Sequence, residues 1–250
     1  MEDKKIVGLV AICTGKYDVF IQPLIDSADK WFFKGESFDF YLLSDKGHSV
    51  ALPERINYKR MFVPHLPFPL PTLLRYKWIN QYKDELTAQN LFYIDIDMLF
   101  VNEVGREILP DKSGLTATRH PGYFRGGWGD NETHPMSTAY LKPEMRKNYY
   151  AGGFQGGERD TFLNAVQLMA ENIDIDFDTA KACDITAHNG VLARWDDESH
   201  WNKYLKYHPH KELTPEYCMV EEMELRKKWL IDNLTPRIVA LKKDHKQIRS

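Results

Sequence analysis

The chain has 250 residues, a formal net charge of −3, 43% hydrophobic and 28% charged residues, which is enough apolar material for one full core and excludes a disordered chain. The slight negative charge gives no bulk electrostatic support to nucleic-acid binding, and none is expected. Cys13, Cys183 and Cys218 are odd in number and far apart, which excludes a disulfide framework or a cysteine metal site.

In chain order, Ile6 to Ile12 reads as a short apolar strand ended by Thr14-Gly15, and helical spacing follows from Phe20 to Phe33. Phe38 to Leu43 and Ile56 to Val63 read as the next strands. The proline-rich run Pro64 to Pro71 must be a loop, and a helix is predicted from Thr72 to about Leu86. Tyr93 to Phe100 is apolar apart from Asp95 and Asp97. Leu115 to Thr118 reads as a strand, Gly122 to Pro135 as an irregular loop, and Tyr149 to Gly157 as a strand carrying two glycine pairs. Helices are predicted over Arg159 to Glu171 and Asp197 to Tyr207, with a late strand at Arg237 to Leu241 before a basic tail. Strands alternating with helices predict an α/β fold, one domain over residues 1–250 with a mainly parallel mixed sheet. No apolar run approaches the roughly 18–20 residues that span a bilayer, and a cytoplasmic location without signal peptide or anchor is expected.

Two constellations carry chemistry. Residues two apart on a strand share a face, so Asp95 and Asp97 are expected side by side at a strand end. Like charges that close require water, a proton or a cation between them, and the apolar neighbours favour a cation. A hard divalent ion held by two carboxylates completes its shell with water and phosphate oxygens, which points to a nucleotide-linked substrate. The second constellation is Trp195-Asp196-Asp197-Glu198, opening a predicted helix. Acids in a first turn are stabilised by the helix dipole whatever their function. An indole beside three carboxylates is also the arrangement where sugars are bound and glycosidic carbon is attacked.

The ordered motifs TGKY (Thr14–Tyr17), YIDIDMLF (Tyr93–Phe100), RHPGYF (Arg119–Phe124), STAYLKP (Ser137–Pro143), YYAGGFQGG (Tyr149–Gly157), WDDESHWNKYL (Trp195–Leu205), LTPEYC (Leu213–Cys218) and KKDHKQIR (Lys242–Arg249) resemble glycosyltransferase family 6, which includes the ABO blood-group transferases and the α-1,3-galactosyltransferases. The resemblance implies a single-domain GT-A fold and retaining transfer of N-acetylgalactosamine or galactose from a UDP-sugar, in α-1,3 linkage, to a galactoside acceptor. It covers the catalytic domain alone, as in the soluble microbial or viral type.

By that resemblance Asp95 and Asp97 hold Mn²⁺, replaceable by Mg²⁺, against the diphosphate. Glu198 is the catalytic acid beneath the anomeric carbon and also borders the acceptor. Asp197 and Arg75 bind the donor sugar, while Ala151 and Gly153 govern the choice of donor, their small size tilting it slightly toward UDP-N-acetylgalactosamine. Ile12, Cys13 and Tyr17 pack on uracil and ribose, and Lys243 and Arg249, in a tail of about residues 242–250, close over the diphosphate as a lid. His120 and Trp195 contact the acceptor. Two departures stand out: Asp196 replaces the usual histidine, and Thr133-His134 replaces an Arg-Arg pair. The rival readings are a catalytically idle sugar-nucleotide or glycan-binding protein of the same fold and a metal-dependent phosphatase.

Overall fold

The apolar strand at the start of the chain, β1 (Val7–Cys13), is buried along its whole length, as a strand covered on both faces must be. In the computed structural model, which describes residues 6–183 and 191–248, β1 pairs in parallel with β2 (Phe38–Ser44) on one side and β4 (Asn90–Ile94) on the other. Beyond β2 lies β3 (Ile56–Phe62), also parallel. Next to β4 the direction reverses at β7 (Tyr150–Glu158), followed by β6 (Leu115–Arg119) and β8 (Lys211–Leu213). Among the described residues the main sheet therefore has seven strands in the order β3-β2-β1-β4-β7-β6-β8, mixed and mainly parallel.

Alternation along β1 divides the core. Val7, Leu9, Ala11 and Cys13 pack with Ile21, Leu24, Ile25 and Ala28 of α1 (Ile21–Trp31). Val10 and Ile12 face the other layer, built from α3 (Arg75–Gln81), α4 (Arg159–Ala182) and α5 (Asp196–Leu205). The apolar positions of α1 recur at three- and four-residue spacing, the stripe by which a helix seats on a sheet.

Three expectations change. The helix from Thr72 to Leu86 is broken into α2 (Leu70–Leu73), α3 and a 3-10 turn at Lys83–Glu85. Leu74 leaves helical geometry at φ −86°, ψ 4°, and α2 starts inside the proline run because Pro71 stands in its first turn, where a missing N–H costs nothing. The acid pair does not lie on a strand, because β4 ends at Ile94. The Asp95 N–H still continues the ladder to the Gly153 carbonyl at 2.9 Å, and the Met98 N–H then closes a turn on the Asp95 carbonyl at 3.1 Å. The chain next enters a second sheet that the periodicity did not reveal, β5 (Met98–Phe100), β10 (Ile238–Ala240) and β9 (Met219–Val220) in the order β5-β10-β9. β10 is the late strand expected at Arg237 to Leu241; β5 and β9, three and two residues long, are too short to show a period. The three strands are followed or linked by the short helices α6 (Met223–Lys228) and α7 (His245–Ile248).

The chain runs from β1 outward through β2 and β3, then returns to the opposite side of β1 as β4. That reversal opens a crevice at the carboxyl ends of β1 and β4, where α/β sheets bind ligands. Gly156 sits opposite Phe92 in the β4–β7 ladder, and a Cβ there would lie 2.2 Å from the Leu91 carbonyl oxygen and 2.7 Å from the Phe92 Cα. Backbone cannot yield locally to such a clash. Gly156→Ala is expected to lower stability by about 3 kcal/mol, the upper range for overpacking, read as a fall in the urea midpoint.

Candidate functional site

The crevice is a cleft of about 340 Å³. Ile12 and Thr14 reach it from the end of β1, Tyr17 from the following 3-10 turn, and Tyr93 from β4. Asp95 and Asp97 enter from the β4–β5 turn, Gly152 and Gly153 from β7, and Trp195 with its three acidic neighbours from the start of α5. The tail adds Lys243 and Ile248. The two acidic groups, about a hundred positions apart in sequence, thus share one wall.

Arg75 joins them. Its side chain, only 6% exposed, places Nη2 2.8 Å from Asp95 Oδ1 and Nη1 2.6 Å from Asp197 Oδ2. Nη1 also donates to the Gly152 carbonyl at 2.8 Å, and the guanidinium stacks over the Tyr93 ring at 3.9 Å. Burial works against the charged guanidinium, but the carboxylates of Asp197 and Asp95 outweigh it, and the Arg75 pKa is raised. For Asp197 burial dominates: it pushes the pKa well above the carboxylate range, with Arg75 opposing and Asp95, Asp196 and Glu198 adding to the rise. Tyr93 donates its hydroxyl to Asp95 Oδ1 at 2.8 Å, leaving Oδ2 free of that network.

Glu198 accepts the Gly152 N–H on Oε2 at 2.8 Å, so both backbone groups of Gly152 serve the site. Tyr149 stands behind it, its phenol pKa raised first by burial and then by the Glu198 carboxylate. Asn202, one turn along α5, donates to the Glu198 carbonyl at 2.9 Å and exchanges bonds with the Tyr150 N–H and carbonyl, at 2.9 and 2.7 Å. These bonds fix the acid-bearing helix end to β7. Asp97 is paired with the Lys243 ammonium, which also lies 5.7 Å from the Tyr17 ring centre.

Not every sequence-predicted residue joins the cleft. The Cys13 thiol points to the α1 side, because Ile12 and Cys13 alternate and only Ile12 faces the cleft. Ala151 is buried within β7 and does not line the cavity. His120 lies outside it: Nδ1 accepts the Gly122 N–H at 3.1 Å, and the ring packs on Tyr149, whose phenol neighbours Glu198. Trp195 lines the mouth, 45% exposed. Arg249 lies outside the described residues. Asp196 is buried and adds a fifth acidic side chain to a lining with two full cations, Arg75 and Lys243.

The residues that sequence reasoning missed are Tyr93, Tyr149, Gly152 and Asn202. Tyr93 could have been found, since it stands two positions before Asp95 and so shares its side; the others act through partners 46 or more positions away. Among the described residues no three of His, Cys, Asp and Glu form a metal-ligand cluster. Asp95 and Asp97 are the residues that could hold a hard cation. Among those residues no helix is long and apolar enough to cross a membrane.

Glycosyltransferase family 6, as a family model, matches residues 1–250. Histo-blood group ABO system transferase 1 of Rattus norvegicus is 30% identical over 254 residues, covering 98% of this chain and 68% of the relative. Globoside alpha-1,3-N-acetylgalactosaminyltransferase 1 of Gallus gallus is 29% identical over 225 residues, covering 84% and 61%. O-antigen biosynthesis glycosyltransferase WbnI of Escherichia coli is 25% identical over 223 residues, covering 87% and 89%.

Two outcomes follow from the buried charges. Arg75→Met strips Asp197 and Asp95 of their shared cation, and loss of one member of a buried ion pair costs about 3–5 kcal/mol; thermal and urea unfolding should both register it. His200 on α5 is buried, its pKa lowered to about 3 by burial alone, with Asp176 Oδ2 3.8 Å from Nε2. The folded protein keeps this imidazole neutral while the unfolded chain protonates it near pH 6.5, so stability present above pH 6.5 is lost as pH falls. Between pH 6.5 and 5, His200→Leu should lose about 2 kcal/mol less than the parent, at roughly 1.4 kcal/mol per pH unit; Asp176, raised in pKa by burial, is retained in both. Urea titrations across that range measure the difference.

Proposed function

The chain belongs to glycosyltransferase family 6, and from that premise and the geometry of the cleft we propose that it is a retaining α-1,3-transferase moving N-acetylgalactosamine or galactose from a UDP-sugar to a plain or fucosylated galactoside. The observation that carries the reading is the Arg75 hub. One buried guanidinium holds the β4–β5 acid turn, the α5 acids and the glycine strand together. The rat relative is named as a transferase of the ABO system, and the chicken relative's name gives N-acetylgalactosamine and the α-1,3 linkage, which supports this reading.

On this reading Tyr17 and Ile12 form the wall for uracil and ribose, and Arg75 and Asp197 orient the donor sugar's hydroxyls. Trp195, at the mouth, supplies an apolar face for the acceptor. Glu198 is the group under the anomeric carbon, as nucleophile or as stabiliser of an oxocarbenium-like state. Lys243, with Arg249, supplies positive charge for the diphosphate.

Asp95 and Asp97 fit a hard divalent cation. Both are oxygen donors lining the cleft, Asp97 already binds a cation in the Lys243 ammonium, and Asp95 keeps Oδ2 clear of Arg75 and Tyr93. Two carboxylates suffice when diphosphate and water complete the shell. Bound there, Mn²⁺ or Mg²⁺ supplies Lewis acidity and neutralising charge to the leaving nucleotide.

Transfer to galactosides from UDP-N-acetylgalactosamine and UDP-galactose should be lost on chelation with EDTA and restored by Mn²⁺. In Glu198→Gln an amide oxygen can still accept the Gly152 N–H, so UDP and Mn²⁺ binding by calorimetry should persist while turnover falls at least ~10²-fold, the usual scale for losing one transition-state contact. Undiminished turnover would remove Glu198 from the mechanism. Binding of UDP by the parent chain without transfer from either donor would leave an idle binding protein.

A further inference from the structure

We propose that His65 is a nucleoside-binding residue of the donor cleft, hydrogen-bonding the uridine half of the nucleotide; the inference rests on the UDP-sugar reading above. His65 lies in the proline run between β3 and α2, and it lines the cavity together with Thr14 and Tyr17. The Cε1 corner of its imidazole points at Gly15, which stands between those two residues in the chain. A Cβ built on Gly15 would lie 2.6 Å from Cε1, 3.0 Å from Nδ1 and 3.4 Å from Nε2 of that ring. Gly15 also holds φ +62°, a left-handed conformation that costs a residue with a side chain about 1 kcal/mol or more. The glycine after β1 thus admits an imidazole to the wall that Ile12 and Tyr17 form.

Among the described residues the ring nitrogens of His65 have no hydrogen-bond or ion-pair partner. A neutral imidazole carries one donor and one acceptor, a match for a ribose hydroxyl or the edge of uracil. The surface around it is uncharged where it meets the cleft. Ile12, Thr14, Tyr17 and Leu66 line this section, while the acids and Arg75 enter from the β4–β5 turn, α5 and α3. Charges near Gly15 are engaged within the protein: Asp45 Oδ1 accepts the Gly15 N–H at 3.2 Å, Asp18 pairs with Lys46 at 2.7 Å, and Lys16 donates to the Gln247 carbonyl at 3.4 Å. An uncharged section of that kind suits base and ribose and gives a diphosphate nothing to pair with. Lys243 stands between the two sections, 5.7 Å from the Tyr17 ring centre and paired with Asp97. The loop that carries His65 is also restrained before any ligand arrives. Pro64 and Pro67 flank it, and the Leu70 and Thr72 N–H groups close turns on the Pro67 and Pro69 carbonyls, each at 3.0 Å. Little freedom is left to lose on binding, so a single hydrogen bond there shows in the affinity.

The test measures binding of UDP, 2′-deoxy-UDP and inorganic pyrophosphate by calorimetry, each with Mg²⁺, in the parent chain, His65→Ala and His65→Gln, and kcat and KM with both UDP-sugars. His65→Ala should weaken UDP ~5-fold, the scale of one net hydrogen bond between neutral groups, and leave pyrophosphate unaffected. KM should rise by the same factor for both donors at constant kcat, because a nucleoside contact is made equally in ground and transition states. His65→Gln keeps a donor and an acceptor and should recover part of the affinity. Thermal unfolding of both variants should match the parent, since the side chain is exposed. A penalty that vanishes with 2′-deoxy-UDP supports a contact to the ribose 2′-hydroxyl, and one that persists supports a contact elsewhere on the nucleoside. Unchanged UDP affinity in His65→Ala, or an equal loss for pyrophosphate, overturns the proposal. A parent that binds UDP through His65 but transfers neither sugar keeps the proposal and ends the transferase reading; a parent that binds no UDP ends both.

Discussion

A single buried guanidinium holds this cleft in shape. Arg75 sits among acids that would repel one another without it, and each of its contacts reaches a different part of the fold: the turn after β4, the first turn of α5 and the backbone of β7. Taking a guanidinium and a carboxylate out of water costs several kcal/mol per ion, and the cost is offset only where geometry and further hydrogen bonds are good. Here the Tyr93 ring beneath the cation and the Gly152 carbonyl beside it supply that compensation. The balance stays incomplete for Asp197, where burial works against the charged form and raises the pKa. Such a group is retained for its position, at some expense in stability.

The glycine pairs of β7 look alike in sequence but answer two different demands. Gly156 and Gly157 let backbone approach backbone: their Cβ positions would fall 2.2 Å from the carbonyl oxygens of Leu91 and Gly114. Gly152 and Gly153, nearer the cleft, meet charged side chains and sulfur instead. One pair keeps the antiparallel strand seated between β4 and β6; the other lets the site's acids lie against it. A strand with no side chains at these positions gives up packing energy, and here that sacrifice becomes room for the acids.

What could be read from the chain was what is local. The continuous apolar run of β1, the acid doublet and the acid-rich opening of α5 declare themselves within a few residues, and the α/β alternation follows from them. The placement of the Cys13 side chain has the same origin: alternation says that Ile12 and Cys13 face opposite layers, but not which layer holds the cleft until α3, α4 and α5 are placed. Arg75, on a short helix after a proline run, has the sequence context of a solvated residue, and only tertiary packing buries it. The Asp95–Asp97 doublet was legible as a doublet, but its conformation was not. The turn that carries it depends on Gly153, some sixty positions later, and on a small sheet completed by the last part of the described chain.

That small sheet also explains the position of the tail. The Leu241 N–H donates to the Asp97 carbonyl at 2.9 Å, anchoring the chain beside the acid turn, and two residues later Lys243 bends over the Asp97 carboxylate. Beyond it α7 is a single turn with no buried residue, so little apolar packing holds the tail over the cleft. Electrostatics does more: five acidic side chains line the cavity with two full cations, and Lys243 is the one carried by the tail. An ammonium tied to Asp97 lowers the repulsion among those acids and keeps a positive charge at the mouth. Any group that takes over Asp97 would free that charge for an anion in the cleft, so the strength with which the tail is held depends on what the acids bind.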